Sequence, residues 1–453
     1  MANVSHKLKN AFEGALAGGG NPATSPLYVF GPFLKMIVLA GVANITFGSS
    51  VWLVILTIAA ASMVYRYVMN WVTDGSGGSG MSEEEFGTWA IKVNAAITFI
   101  EYSLTFLVSM SALVTFVADR FPALNATIFV FQNRVYLAIA LSILIGWIVN
   151  RGPKIATIAF GPATAGILLL LWLMIIETIV KSGLHLPSLS LEAFSPRYLP
   201  FTIKGYVMIL AVMTGIEVFA NLVPAFTGSV EEKSRKAFGS LLMIMFTTIA
   251  TMLIVGPEIY LISNPAISEV SVFTQTMDFL LPQPFAYFGS LISVFVLMSA
   301  CAASSQGLQN LASGLGKRSY LPDNFFEKNK DGVANKPVWI QVIIVCAGFM
   351  LIGTQEEVYL GLYAAGVFII ISQSGWAVTR RLIREARVER TWRSRTKYLI
   401  TGFSASLTSL ATIIVLAEKF SEGAWLYFIF IPILYFLFTH FNRKAYMKAK
   451  SLA

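Results

Sequence analysis

The sequence predicts an all-α integral membrane protein, one bundle of about twelve spans, and three observations predict it. The chain is 56% hydrophobic and only 13% charged, with a mean hydropathy of +0.69. A water-soluble fold could not cover that much apolar surface, so these side chains face lipid or one another. Long apolar runs recur from end to end, such as VWLVILTIAAASMVYRYVMNWV (51–72) and GILLLLWLMIIETIV (166–180). Each contributes to a span of about 20 residues, enough for roughly 30 Å of hydrocarbon. Positive charge also alternates between successive loops, as a membrane topology requires.

Element by element, apolar segments fall at 10–38, 50–72, 86–118, 133–149, 155–181, 202–226, 236–262, 285–316, 337–353, 358–379, 398–417 and 423–441. Starting inside, Lys7 and Lys9 precede the first segment, NRGPK (150–154) the fifth and EEKSRK (231–236) the seventh. Lys317, Arg318, Lys328, Lys330 and Lys336 follow the eighth, and TRRLIREARVERTWRSRTK (379–397) follows the tenth. The tail carries Arg443, Lys444, Lys448 and Lys450, whereas residues 263–284 and 354–357 hold no Lys or Arg. The alternation works only with an even number of spans, which places both termini in the cytoplasm and the protein in the plasma or inner membrane.

Topology thereby accounts for the net charge of +9. The basic tenth loop reads as an orientation signal touching anionic lipid, not as a nucleic-acid surface. The N-terminus, MANVSHKLKNAFEGALAGGG, is polar and then small, so no cleavable signal peptide is expected. Cys301 and Cys346 both lie in apolar runs, which implies no disulfide framework. The three histidines (His6, His185, His440) are scattered, and no nucleophile–base or metal spacing appears, so an enzyme is not expected.

The stretch GGGNPATSPLYVFGPF (18–33) puts glycines, prolines and small polar residues where the first membrane helix should run. Irregular backbone at membrane depth persists only around a cavity or a bound ligand. A break at GGGNPATSP would expose a helix end, free carbonyls and the side chains of Asn21, Thr24 and Ser25. Transporters built from inverted repeats interrupt corresponding helices of the two halves at their substrate site. Five spans later the sixth segment reads YVMILAVMTGIEVFANLVPAF (206–226), with TGIE (214–217) at its middle. A mere kink at each place is the plainer reading, but two at corresponding positions favour the broken-helix reading.

Ionisable residues inside a bilayer are costly, so one kept there usually has a task. Glu217 sits in the middle of the sixth segment and Glu101 in the third. Thr105 follows Glu101 by four residues, on the same helical face, and Thr214 precedes Glu217 by three. Each acid thus comes with a hydroxyl that could complete an oxygen shell around a cation, and either acid could instead carry a proton. A protonated or Lys-paired Glu that only ties helices together is the structural alternative. Glu177 and Glu258, near the outer ends of spans five and seven, are expected at the interface, where either could serve a gate.

These residues resemble the amino acid–polyamine–organocation superfamily, most closely its KUP-type potassium uptake permeases. NPATSPLYVF (21–30) is similar to that family's G-D-I-G-T-S-P-L-Y signature. RYVMNWVTDGSGGSG (66–80), a run with the composition of a flexible linker, matches a Gly-rich segment after span two. IEYSLTFLVSMSALVTFVADRFPAL (100–124), TGIEVFANLVPAF (214–226) and AASSQGLQNLASGLGKRSYLP (302–322) extend the resemblance over the first ten spans.

The resemblance implies a LeuT-like fold of two inverted five-helix repeats plus two peripheral helices, working by alternating access. Residues 1–20 would be the cytoplasmic N-terminus and start of span one, 10–181 the first repeat and 202–379 the second. Residues 398–441 would be the peripheral spans and 442–453 a cytoplasmic basic tail. It also implies a cation site made by Asn21 and Tyr28 with Glu101, Thr105, Thr214 and Glu217. Thr24, Ser25 and Gly215 join them as neighbours at the expected breaks. Asn21 stands where the family has Asp, keeping an oxygen but removing one charge and one proton carrier; Glu101 stands where the family has another Asp.

The expected function is secondary active uptake of a monovalent cation, potassium, with protons, Glu101 and Glu217 being the proton-coupling candidates. No cofactor is expected beyond the carried K+ or H+, and the expected partners are the solute, the bilayer and a second copy in a homodimer. An amino acid or amine permease of the same fold is the alternative, with Gly18–Gly19–Gly20 and the opened helix ends holding a carboxylate through backbone N–H groups. A channel would want a continuous polar pore, and a sensor a soluble output domain. The hydrophilic stretches 317–336 and 379–397 are too short to fold alone.

Overall fold

A computed structural model of the chain describes residues 7–152, 162–267 and 270–452, without the side chains of residues 323, 445, 446 and 448–452. His6, Lys154 and the start of the fifth segment (155–161) therefore lie outside the described residues.

Apart from one two-stranded ribbon, the described chain is helical. The first segment forms α1 (Ala11–Gly18) and α2 (Gly20–Leu39), the second α3 (Ala43–Trp71). A short helix, α4 (Gly77–Phe86), leads into α5 (Thr88–Arg120). The ribbon β1 (Thr127–Ile128) and β2 (Phe131–Gln132) precedes α6 (Asn133–Val149) and α7 (Ala163–Ser182). The sixth segment is α8 (Leu199–Leu210) and α9 (Ile216–Asn221); the seventh is α10 (Val230–Ala250) and α11 (Gly256–Ile262), joined through one π-helical turn. After α12 (Val272–Leu280) come α13 (Phe285–Lys317), α14 (Asn335–Ile352), α15 (Glu356–Glu389), α16 (Trp392–Glu418) and α17 (Leu426–Leu452). Among the described residues eleven helical stretches are long and apolar enough to cross a membrane, and α6, with 17 residues, stands at the remaining apolar segment.

Burial separates inner from outer helices. The apolar windows of α2, α5, α8–α9 and α15 are 72–78% buried, against 33% for α14 and α16 and 17% for the last span. Exposed Leu410, Ile413, Phe428, Phe436 and Ile343 stud the outer helices, the pattern of side chains that face lipid. On inner and outer helices alike, Ser and Thr hydroxyls bond to the carbonyl one turn back, as Thr105 does to Glu101 (2.8 Å), Ser374 to Ile370 (2.9 Å) and Thr408 to Ser404 (3.0 Å).

Of the two expected breaks, the second is present in full. α8 tightens into a 3-10 turn at Ala211–Met213, Thr214 is extended, and Gly215 takes the left-handed conformation (φ 84°) before α9 restarts. Only glycine adopts that φ at no steric cost.

The first break is far smaller than GGGNPATSP suggests, which corrects the sequence reading. Gly19 keeps right-handed helical angles (φ −82°, ψ −9°), and Asn21, Thr24 and Ser25 lie within α2. Gly19 N–H still donates to the Ala15 carbonyl, and Ala23 N–H to the Gly19 carbonyl, both at 2.8 Å. The glycines serve close packing instead. A Cβ at Gly18 would stand 2.5 Å from Leu222 Cδ1, and one at Gly19 2.5 Å from Ile244 Cδ1. Small residues let the backbones of α1 and the helices around α9 and α10 approach. What the prolines do open is acceptor capacity: Pro22 and Pro26 have no N–H for the carbonyls of Gly18 and Pro22, four residues earlier.

Glu258, in α11, is buried and accepts a hydrogen bond at 2.6 Å from Ser182 Oγ, at the end of α7. Cys301 and Cys346 are both free.

Candidate functional site

α2 and the break between α8 and α9 meet at the centre of the bundle. Ser25 Oγ lies 3.2 Å from Thr214 Oγ1 and 3.3 Å from the Tyr28 hydroxyl. Thr24 Oγ1 donates to the Asn21 carbonyl at 2.6 Å. Gly215 presses against the next turn of α2: a Cβ there would fall 2.9 Å from Pro22 Cδ and 3.3 Å from Asn21 Nδ2. The absent side chain is therefore what lets the two segments touch. Thr24, Ser25 and Thr214 are fully buried.

On the α5 side, Glu101 is 3% exposed and lies near the half-buried Glu217 in the first turn of α9. Among the described residues neither acid forms an ion pair with Lys or Arg. The Lys-paired structural alternative is thus not what these residues adopt. Two neighbouring carboxyl groups, one of them buried, repel when both are charged, so the pair favours a positive partner, either a shared proton or a cation between them.

The sequence-predicted residues thus fall into two adjoining groups: Asn21, Thr24, Ser25, Tyr28, Thr214 and Gly215 around the helix break, and Glu101, Thr105 and Glu217 around the acid pair. Tyr363, in α15, joins them and was missed by sequence reasoning. Its hydroxyl accepts from Asn21 Nδ2 at 3.1 Å and lies near Thr105. Its only signal was a tyrosine early in the tenth segment, in VYLGLYAAGVF, which composition makes unremarkable. Tyr65 of α3, also missed, lies close enough to Glu217 and Glu101 to feel their charge.

With Asn21 Nδ2 directed to Tyr363, its Oδ1 is buried and has no hydrogen-bond partner among the described residues. An unpaired buried amide oxygen costs about 1–3 kcal/mol, and it supplies a free lone pair beside the hydroxyls of Ser25, Tyr28 and Thr214. Oxygen donors of this kind suit hard, hydrated cations. No cluster of three or more His, Cys, Asp or Glu exists among the described residues. A cavity lined by Asn44, Phe47, Ser188, Pro257 and Tyr260 lies apart from these acids, against the ends of α3 and α11.

No protein-family model matches the chain. It is similar to the Bacillus subtilis (strain 168) protein named potassium transporter KimA, with 24% identity over 417 residues. That alignment covers 89% of this chain and 66% of the relative, so the chain spans about two thirds of the length of the curated protein it matches.

Proposed function

We propose that this chain is a secondary active carrier that takes up potassium together with protons. The observation that carries the reading is the group of oxygen donors at the helix break, Ser25, Tyr28, Thr214 and the unpaired Asn21 Oδ1, with Glu101 and Glu217 close to one another nearby. With two acids at the site, one carboxyl can hold a proton while the other, with its oxygen neighbours, holds the cation. Loading both before the site changes sides carries cation and proton in the same direction. The similarity to a potassium transporter supports the choice of cation.

In this reading the chain has a LeuT-like fold within the amino acid–polyamine–organocation superfamily. Residues 10–181 and 202–379 form the inverted repeats, spans eleven and twelve are peripheral, and alternating access moves the solute past the Gly215 break. The basic loops and tail lie in the cytoplasm, the carrier sits in the plasma or inner membrane, and no cofactor takes part. A homodimer is the proposed assembly.

The amine permease alternative keeps one favourable observation, since two carboxyl groups also suit an organic cation. The amino acid variant loses its basis at Gly18–Gly19–Gly20, where Gly19 N–H is engaged by Ala15. The test is potassium-dependent growth of a bacterium deficient in potassium uptake, run beside proteoliposome uptake of rubidium, amino acids and polyamines. Growth rescue with rubidium flux is the expected result. Uptake of amine or amino acid without rubidium would replace the cation reading.

A further inference from the structure

The Gly-Ser run after α3 is no linker. Residues 77–86 form α4, and Gly77, Gly78, Gly80, Met81, Ser82 and Glu85 are buried in it. Its glycine face is fitted to the bundle. A Cβ at Gly77 would collide with Asn221 Oδ1, and one at Gly78 with Ser374 Oγ, with the Tyr65 hydroxyl 3.4 Å away. Asn221 ends α9, one helical turn from Glu217, or about 6 Å. Tyr65 in turn lies near both Glu217 and Glu101. α4 therefore sits directly against the acid pair's own surroundings, at the end of the bundle that the proposed orientation makes cytoplasmic.

Three consecutive acids at the far end of α4 tie it to two other helices. Glu83 pairs with Arg318 just past α13, Glu84 with Arg381 (3.1 Å) and Glu85 with Arg384. The last pair is bidentate, at 2.6 and 2.9 Å, and the Glu85 side chain is 1% exposed. Arg380 lies over the Phe86 ring and Arg381 over Trp71. Exposed pairs hold weakly and part easily, whereas the bidentate one, buried on its Glu85 side, gives the seat a definite position.

Buried polar groups without partners lie on either side of this seat. The Tyr65 hydroxyl and both amide atoms of Asn94, a residue wholly buried in α5, have no hydrogen-bond partner among the described residues. Asn94 precedes Glu101 by seven residues, two turns on the same face, or roughly 10 Å towards α4. Native interiors rarely leave such groups unsatisfied unless another state, water or a ligand pairs them.

We propose that α4 is the closure of the solute path on its own side of the membrane. It unseats as a unit when its acid–arginine pairs part, and Tyr65 and Asn94 line the route it uncovers for a partly hydrated cation. This rests on the transport reading, but its test does not use transport.

With Cys301→Ser and Cys346→Ser, the chain has no other cysteine, and Asn94→Cys becomes a single reporter. Its reaction with a membrane-impermeant maleimide is followed from each side in oriented vesicles. Starting from slow labelling, Glu83→Gln with Glu84→Gln, which alters only the exposed pairs, raises the rate about tenfold from the α4 side alone. Gly78→Val, which wedges α4 off Ser374, does the same. Rates that stay equal across these backgrounds, or that rise from the opposite side, overturn the proposal. Variants are first checked as monodisperse protein by size exclusion, and the exposed-pair variant serves if the Gly78 variant does not fold. Absent potassium flux with the labelling pattern intact would instead count against the transport reading.

Discussion

Ser25 and Thr214, 189 residues apart in the chain, bring their hydroxyls to 3.2 Å at the point where the sixth span loses its helical hydrogen bonding. The contact couples an intact helix to a broken one. Movement of α9 about Gly215 must therefore change the oxygen set offered by α2, and this is where substitutions are most informative.

Glu217→Gln keeps the shape of the side chain and removes its charge. Uptake is expected to fall about 100-fold, the scale of losing one charged ligand worth roughly 3 kcal/mol. Proteoliposome flux of rubidium measures it, and unchanged flux would remove Glu217 from the mechanism.

Gly215→Ala places a Cβ 2.9 Å from Pro22 Cδ on a residue with φ 84°. The left-handed conformation alone costs a non-glycine residue about 1–2 kcal/mol. A lowered thermal midpoint with strongly reduced flux is expected; wild-type values for both would show that the close approach of α2 to the break is dispensable.

Asn21→Asp restores a charge beside Ser25 and Thr214 while removing the amide donor to Tyr363. The added charge is expected to lower the apparent KM for potassium about tenfold. Asn21→Leu, which has no oxygen, raises it. Identical KM values in both variants would exclude Asn21 Oδ1 as a ligand.

Tyr363→Phe deletes only the hydroxyl that accepts from Asn21. Loss of one such hydrogen bond, about 1 kcal/mol, is expected to raise KM roughly fivefold with little change in thermal stability. A stability loss without a KM change would make the contact structural.

Arg120→Ala supplies the contrast. Arg120 grips Asp278 through both guanidinium nitrogens (2.9 and 2.6 Å) and reaches Ser290 at 2.8 Å, joining α5 to α12 and α13. Asp119, beside it, accepts from Ser271 and Thr274, both at 2.6 Å. Truncating Arg120, whose side chain is 10% exposed, is expected to destabilise the fold by about 3 kcal/mol. Thermal unfolding should shift while KM stays unchanged; a KM shift would extend the functional region to this end of α5.

Much of this protein was legible in one dimension. Hydropathy marked every apolar segment that proved helical, because a span must be apolar over a fixed length whatever packs beside it. TGIE marked the real break, since a glycine followed closely by an acid at mid-span is costly in an uninterrupted membrane helix. Only the tertiary structure decided that Gly18 and Gly19 serve close packing instead of unwinding, that residues 77–86 form a buried helix instead of a linker, and that Tyr363 and Tyr65 stand beside the acids. The reason is physical: glycine has the same signature whether it frees the backbone or makes room for a neighbour, and which of the two applies depends on a partner such as Leu222 or Ser374, hundreds of residues away.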